Sequence, residues 1–170
     1  MRRILVGLLL ALALTLMPAL PVLAETTADV TVTATPTYIA ITVAPTSYDF
    51  EVVAESATPS TTTSHFTITN SSSVSTNNTV SVTTATWSGG VTWTHSDTAT
   101  PDADTAGLKA NKGGTWGEGD VIVQYTTPQV LAADQAATTN WNFGLKLFAP
   151  TSFSDGVEKS IIVRISAAAA

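Results

Sequence analysis

Apolar and polar residues alternate with a period of two along much of the chain, and the pattern is clearest at residues 141–150. Four apolar side chains share one face of that stretch when it is extended: Trp141, Phe143, Leu145 and Leu147. A period of two is typical of an antiparallel strand with one buried face. Residues 159–166 repeat the pattern after a polar connection that contains Asp155 and Gly156, so the two stretches predict a β-hairpin.

Similar stretches recur at short intervals nearer the start of the chain. They occupy residues 29–34, 39–43, 48–52, 66–70, 80–87, 91–95 and 121–125. Threonine is abundant, whereas the usual residues of helix surfaces are scarce, and this composition favours strands. We therefore predict an all-β fold, an antiparallel β-sandwich of immunoglobulin-like or jelly-roll type with about eight or nine strands and little or no helix. A closed barrel is the alternative.

Two stretches lack the alternation. Residues 96–119 are rich in Asp and Gly, and Trp116 is their one aromatic residue. A loop of this length in a compact domain is usually functional or mobile. Residues 126–139 form a second polar connection, with room for a helical turn at 131–135.

Residues 1–24 predict a secretory signal peptide. Two arginines precede an apolar run at residues 4–16, two prolines interrupt the apolar stretch, and residues 22–24 suit cleavage before Glu25. A retained membrane anchor is the alternative, because residues 4–24 are long enough to span a bilayer. We expect a secreted or cell-surface protein that is free of the membrane after cleavage. Residues 25–37 would then form an N-terminal segment, and residues 38–170 a single β-sandwich domain.

The chain is acidic and contains no cysteine. Its net charge is −6, and loss of the signal removes two of the seven basic residues and none of the thirteen acidic ones, which gives −8. Negative charge opposes binding to nucleic acid and to anionic lipid, so we expect neither partner. Without cysteine, an exported chain has no disulfides, no thiolate metal site and no lipid attached through a thiol.

Candidate metal ligands are few. Asp97, Asp102 and Asp104 carry the oxygen ligands that Ca²⁺ prefers, but the calcium-loop pattern is incomplete, and solvated loop charge is the simpler interpretation. His65 and His95 are expected at surface or satisfied polar positions. No nucleophile elbow, phosphate loop or dinucleotide motif is found, and no two carboxylates are paired by their spacing. We therefore expect no enzyme, and no cofactor beyond this calcium candidate.

Trp116 is the one tryptophan that we expect at the surface, because glycines flank it on both sides. An exposed indole can stack on a sugar ring or contact a protein partner. Trp93 and Trp141 lie in alternating stretches, which predicts that both belong to the core.

Three short stretches, at residues 48–50, 66–70 and 145–147, read Tyr-Asp-Phe, Phe-Thr-Ile-Thr-Asn and Leu-Lys-Leu. In these the chain resembles exported prokaryotic surface proteins with a β-sandwich, among them the TasA and camelysin filament subunits. The resemblance implies a segment after the signal that leaves its own domain and completes the sheet of the next subunit. The matching position is 28–35, and Val30, Val32 and Ala34 would form its assembly strand.

Two functions of different classes are consistent with these features. The first is a structural subunit of an extracellular filament or surface layer, which self-associates into a homopolymer by β-strand addition. The second is an extracellular module that binds a glycan or protein partner through residues 96–119 and Trp116. A secreted hydrolase is a third hypothesis, for which no residues can be named.

Overall fold

The computed structural model describes residues 29–170, and these contain ten strands and no helix. The all-β class is confirmed, with ten strands in two sheets where eight or nine were expected. The strands are β1 (Ile41–Ala44), β2 (Phe66–Asn70), β3 (Thr76–Val82), β4 (Thr86–Trp87), β5 (Trp93–Ser96), β6 (Thr105–Asn111), β7 (Val121–Ile122), β8 (Gln129–Gln135), β9 (Asn140–Phe148) and β10 (Val163–Ala169). The predicted signal peptide, residues 1–24, and residues 25–28 lie outside the described residues.

The larger sheet has seven strands. Six follow the order β1-β2-β9-β6-β5-β4, and β7 also pairs with β6. Its ladders are antiparallel except that between β5 and β6, which is parallel. The smaller sheet has the order β10-β3-β8, and both of its ladders are antiparallel.

Both sheets contribute to one hydrophobic cluster. Its largest fully buried apolar side chains are Phe143, Ile68, Leu108, Leu131, Val80 and Val123. Phe66 and Phe143 are opposite each other in the β2–β9 ladder, and their rings stack with centroids 5.0 Å apart. Burial of a side chain of this size contributes about 1.5–3 kcal/mol, so this cluster is the main source of stability in a chain without cysteine.

The predicted hairpin between residues 141–150 and 159–166 is wrong. β9 pairs with β2 and β6, whereas β10 pairs with β3 in the other sheet. The connection between β9 and β10 crosses from one sheet to the other and stacks Phe153 on Trp93, with centroids 5.2 Å apart. A shorter hairpin does join β4 to β5 across Gly89 and Gly90, whose positive φ angles suit a tight turn.

β6 lies inside residues 96–119, which were expected to form a loop. Its core-facing side chains, Ala106, Leu108 and Ala110, are buried. Its other face is covered too, since a Cβ on Gly107 would lie 2.5 Å from the Cα of Ala99. Two of the three core-facing residues are alanines and Gly107 lies on the other face, so the contrast between apolar and polar positions is too weak to show as alternation.

Three other stretches differ from the sequence-based expectation. Residues 129–135 form β8 and not a helical turn, because they pair with β3. Residues 48–52 form no strand; Tyr48 and Phe50 instead make an edge-to-face contact with centroids 5.0 Å apart. Residues 29–34 also form no strand in the described chain.

The described chain falls into two units, and Pro36–Ala170 is the compact unit that carries both sheets. Asp29–Thr35 belong to the other unit, and all seven residues are exposed. Among residues 29–170 there is no helix of the length and hydropathy needed to cross a bilayer.

Candidate functional site

β1 and β10 end their sheets on the same side of the compact unit. β2 and β3 are consecutive strands in different sheets, and residues 71–75 join them. β1 flanks β2 and β10 flanks β3, and this loop bonds to both flanking strands. The N–H of Ser71 donates to the carbonyl of Ala40 at 2.9 Å, and the N–H of Ala170 donates to the carbonyl of Ser75 at 3.0 Å. The two terminal strands therefore lie on the same side of the unit, each at the outer edge of its sheet.

The opposite side is closed by buried amides. β8 and β9 flank β3 and β2 there, and residues 136–139 connect them. Gln135 donates to the carbonyls of Ile68 at 3.1 Å and Thr139 at 2.8 Å, and it accepts from Asn78 at 2.7 Å. Asn70 donates to the carbonyl of Gln135 at 2.9 Å. These bonds join the two sheets on this side.

The outer edge of β10 presents a row of main-chain groups. Ile162 accepts from the N–H of Thr83, and Ala170 donates to Ser75, both at 3.0 Å, so the even-numbered residues of this stretch face β3. N–H and C=O groups alternate in direction along a strand, and the odd-numbered residues of β10 therefore face outward. Within the described chain no strand pairs with that edge.

The outer edge of β1 has the same arrangement over a shorter length. Ala40 accepts from Ser71 on the β2 side, which leaves the main-chain groups of Ile41 and Val43 directed outward. β1 has four residues and β10 has seven. The edge of β10 is therefore the longer template for an added strand.

Apolar side chains lie along both of these edges. Ile41, Val43, Val163 and Ile165 are all half-buried and pack against the hydrophobic cluster, and we call this group the open cleft. Polar or small residues alternate with them on the outside of β1 and β10. An apolar strand laid along either edge would cover the open cleft and satisfy the outward main-chain groups together.

The predicted assembly residues lie in Asp29–Thr35. Val30 is 83% exposed and Val32 is 87% exposed, and Ala34 is exposed as well. Most of the apolar surface of both valines is therefore exposed. Their role as an assembly strand remains a prediction.

The three aspartates considered as calcium ligands accept hydrogen bonds from neighbouring residues. Asp97 accepts from the N–H of Tyr125 at 2.6 Å and the hydroxyl of Thr126 at 2.7 Å. Asp104 accepts from the N–H of Ser154 at 2.9 Å, and Asp102 accepts from the N–H next to it in the chain, at 2.8 Å. Among the described residues no three acidic or histidine side chains form a metal-binding group. Calcium binding stays untested.

His95 is buried beside Asp97. Its Nε2 lies 2.7 Å from the carbonyl of Val123 and 4.0 Å from a carboxylate oxygen of Asp97. Partial burial raises the pKa of Asp97, but hydrogen bonds from Tyr125 and Thr126, with a smaller contribution from His95, outweigh it and lower that pKa. This carboxylate therefore connects β5 to the chain after β7 and acts as structural support. His65 lies elsewhere, against the ring of Tyr48 at 4.7 Å.

Trp116 is half-buried and held in place. Its indole Nε1 donates to the carbonyl of Thr61 at 3.3 Å, and Nζ of Lys146 lies 4.9 Å from the ring centroid. One face of the ring is thus occupied by a cation from its own chain. Trp93 is buried in the core and Trp141 is half-buried against it.

Sequence reasoning missed the open cleft and the outer edge of β10. Residues 161–165 were recognised as an alternating strand, but the hairpin assigned to them would have paired the wrong edge. The sequence did contain one signal of this edge. Residues 166–170 are all small, and a second strand can approach small side chains closely. No protein-family model, curated protein or solved structure matches this chain.

Proposed function

We propose that this protein is an exported structural subunit that assembles into an extracellular filament or surface layer by β-strand addition. The N-terminal segment of one copy adds to the outer edge of β10 in the next copy. The outer edge of β10 carries this proposal, because it combines outward main-chain groups with the half-buried side chains of Val163 and Ile165. We also propose that the two sheets form a β-sandwich of the immunoglobulin-like or jelly-roll type.

The exposed segment suits this edge chemically. Val30, Val32 and Ala34 share one face of an extended chain, and the inward face of β10 carries Val163, Ile165 and Ala167 at the same spacing. In the paired form, the apolar residues of the segment would lie beside the apolar residues of β10. Burial of the two valines would contribute about 1.5–3 kcal/mol each, in addition to the main-chain bonds.

A repeated head-to-tail contact of this kind builds a polymer without a catalytic or metal site. The donor segment and the acceptor edge are different surfaces, so each added copy leaves a new acceptor free. The expected homopolymer, secretion and cell-surface location all form part of this proposal.

The test is deletion of residues 25–35 from the chain that lacks the predicted signal. Full-length protein should form filaments visible by electron microscopy, whereas the truncated protein should be a folded monomer by light scattering and circular dichroism. A synthetic peptide of residues 25–35 should bind the truncated protein and raise its Tm, and a peptide with Val30 and Val32 replaced by Asp should not. Filaments that persist without residues 25–35 would contradict the proposal, and so would a monomeric full-length protein.

A further inference from the structure

Three of the five basic side chains among the described residues lie together around β6 and β9. Lys109 and Lys146 are opposite each other in the β6–β9 ladder, and Lys112 follows the end of β6. Leu108 and Leu147 next to them point into the core, so both lysines of the ladder point to the outer face. We call the group Lys109, Lys112 and Lys146 the basic face.

Among the described residues, no carboxylate lies within 4.0 Å of an ammonium group of the basic face. Of the lysines in the described chain, Lys159 is the one with an ion pair, to Asp155. Like charges directly opposite each other on neighbouring strands are destabilising. Lys109 and Lys146, which face each other without an ion pair, are therefore a place where a bound anion relieves repulsion.

Aromatic rings hold two of these ammonium groups in position. Nζ of Lys146 lies 4.9 Å from the ring centroid of Trp116, and Nζ of Lys109 lies 5.3 Å from that of Phe148. A cation over an aromatic face loses part of its side-chain freedom before any ligand arrives. Pre-ordered cations bind an anion at a lower entropic cost than free lysine side chains do.

The loop that carries Lys112 and Trp116 is organised from within. Asn111 is completely buried, and its Oδ1 accepts from the N–H groups of Gly113 and Gly114, both at 2.8 Å. Its Nδ2 donates to the carbonyl of Thr115 at 2.9 Å and to Asp120 at 2.8 Å. One buried amide thus fixes a loop that contains several glycines and would otherwise be flexible.

A shallow depression of about 230 Å³ adjoins the basic face. Lys112, Gly113, Asn140, Trp141 and Asn142 line it. The side chains of Asn140 and Asn142 are exposed, and the hydroxyl of Thr67 donates to Oδ1 of Asn142 at 2.9 Å. The volume is below the range of about 300–1,000 Å³ typical of sites for drug-sized ligands, so the depression suits one small group of a longer ligand.

We propose that the basic face and this depression bind an acidic polysaccharide that contains uronate residues. The ammonium groups would pair with its carboxylates, and the amides of Asn140 and Asn142 would bond to its hydroxyl groups. The high density of phosphates in nucleic acid fits less well, because the rest of the chain is acidic. This surface uses neither Asp29–Thr35 nor the outer edge of β10, so the inference does not depend on strand addition.

The test is affinity electrophoresis of the chain without its predicted signal in gels that contain polygalacturonate, neutral dextran or poly-glutamate. Polygalacturonate alone should retard it, and the double variant Lys109→Gln/Lys146→Gln should bind at least about tenfold more weakly, the loss expected from about 1.4 kcal/mol or more of lost ion pairing. Arg164→Gln removes the same charge from β10 and should bind like the wild type. Asn140→Ala, at an exposed strand end, should also weaken binding.

Each alternative outcome is decisive. Equal retardation in dextran, or unchanged affinity in the double variant and in Asn140→Ala, would overturn the proposal. Retardation by poly-glutamate as strong as by polygalacturonate would replace the polysaccharide with an acidic protein partner. Circular dichroism of every variant keeps loss of binding distinct from loss of folding, and Asn140→Ala serves alone if the double variant does not fold.

Discussion

Val80 and Ile165 lie directly opposite each other in the β3–β10 ladder, yet Val80 is completely buried and Ile165 only half-buried. β3 has a strand on each side, whereas β10 has one only on the side of β3 in the described chain. Ile165 is therefore more exposed than its cross-strand partner Val80 because no strand of the described chain covers the outer side of β10. Ile165 keeps apolar surface that an added strand would cover.

Blocking the outer edge of β10 should stop assembly without unfolding the protein. The N–H of Ala167 faces outward, so Ala167→Pro removes a donor that β3 does not use. We expect a free energy of unfolding within about 1 kcal/mol of the wild type, and no filaments by electron microscopy. Ser166→Pro is the matched control, since it removes a group that faces β3 and should cost about 1–3 kcal/mol. Normal filaments from Ala167→Pro would exclude β10 as the acceptor.

Charge on one face of the N-terminal segment should prevent assembly, and charge on the other face should not. Val30→Asp/Val32→Asp places two carboxylates on the face proposed to enter the open cleft, where an unpaired charge is costly to bury. Thr31→Asp/Thr33→Asp adds the same charge to the opposite face. Both pairs are exposed, so neither variant should change Tm. Sedimentation of polymer from monomer measures the outcome, and equal loss in both variants would contradict a face-specific contact.

The buried amide of Gln135 should be a strong contributor to stability. Gln135→Leu leaves the carbonyl of Ile68 and the side-chain amide of Asn78 without this partner. Loss of such a bond in a buried site costs about 1–3 kcal/mol, which urea unfolding should report as a lower midpoint with an unchanged slope. Gln129→Leu is the control, because Gln129 is only half-buried and bonds to Gln124 at 2.7 Å. If Gln129→Leu lowers the urea midpoint as much as Gln135→Leu does, burial of the amide is not the cause.

Asp97 should make stability fall in acid. Its pKa in the folded protein is lowered, despite partial burial, by hydrogen bonds from Tyr125 and Thr126. Its contribution is therefore complete above the ordinary value of 3.8 and is lost as the pH falls through the lower folded-state pKa. The difference in Tm between wild type and Asp97→Asn should thus be greater at pH 6 than below the ordinary value of 3.8, where it should shrink.

A matched carboxylate separates this effect from net charge. Asp102→Asn removes one negative charge from an exposed side chain that accepts only from the N–H of Ala103. In this variant, Tm should fall in acid by nearly the same amount as in the wild type. If the Tm difference between wild type and Asp97→Asn stays constant down to pH 2, the charge of this carboxylate does not stabilise the fold.

Local pattern was enough to predict several strands and their buried faces. β2 and β9 were expected from alternation, because a side-chain period of two depends only on the direction in which neighbouring residues point. The core positions of Phe66, Ile68 and Phe143 follow from the same rule. Where the core-facing residues are small, as Ala106 and Ala110 are in β6, the rule has little contrast to detect, and that strand was missed.

The sequence by itself determined the all-β class, the hydrophobic face of most strands and the alternation of Val30, Val32 and Ala34. Only the tertiary structure decided that β10 pairs with β3 and not with β9, that Trp116 sits beneath Lys146, and that β1 and β10 are both terminal strands. The reason is physical. Alternation specifies which way a side chain points, but main-chain hydrogen bonds are the same for every partner, so the choice of neighbour depends on how distant segments fill a shared core.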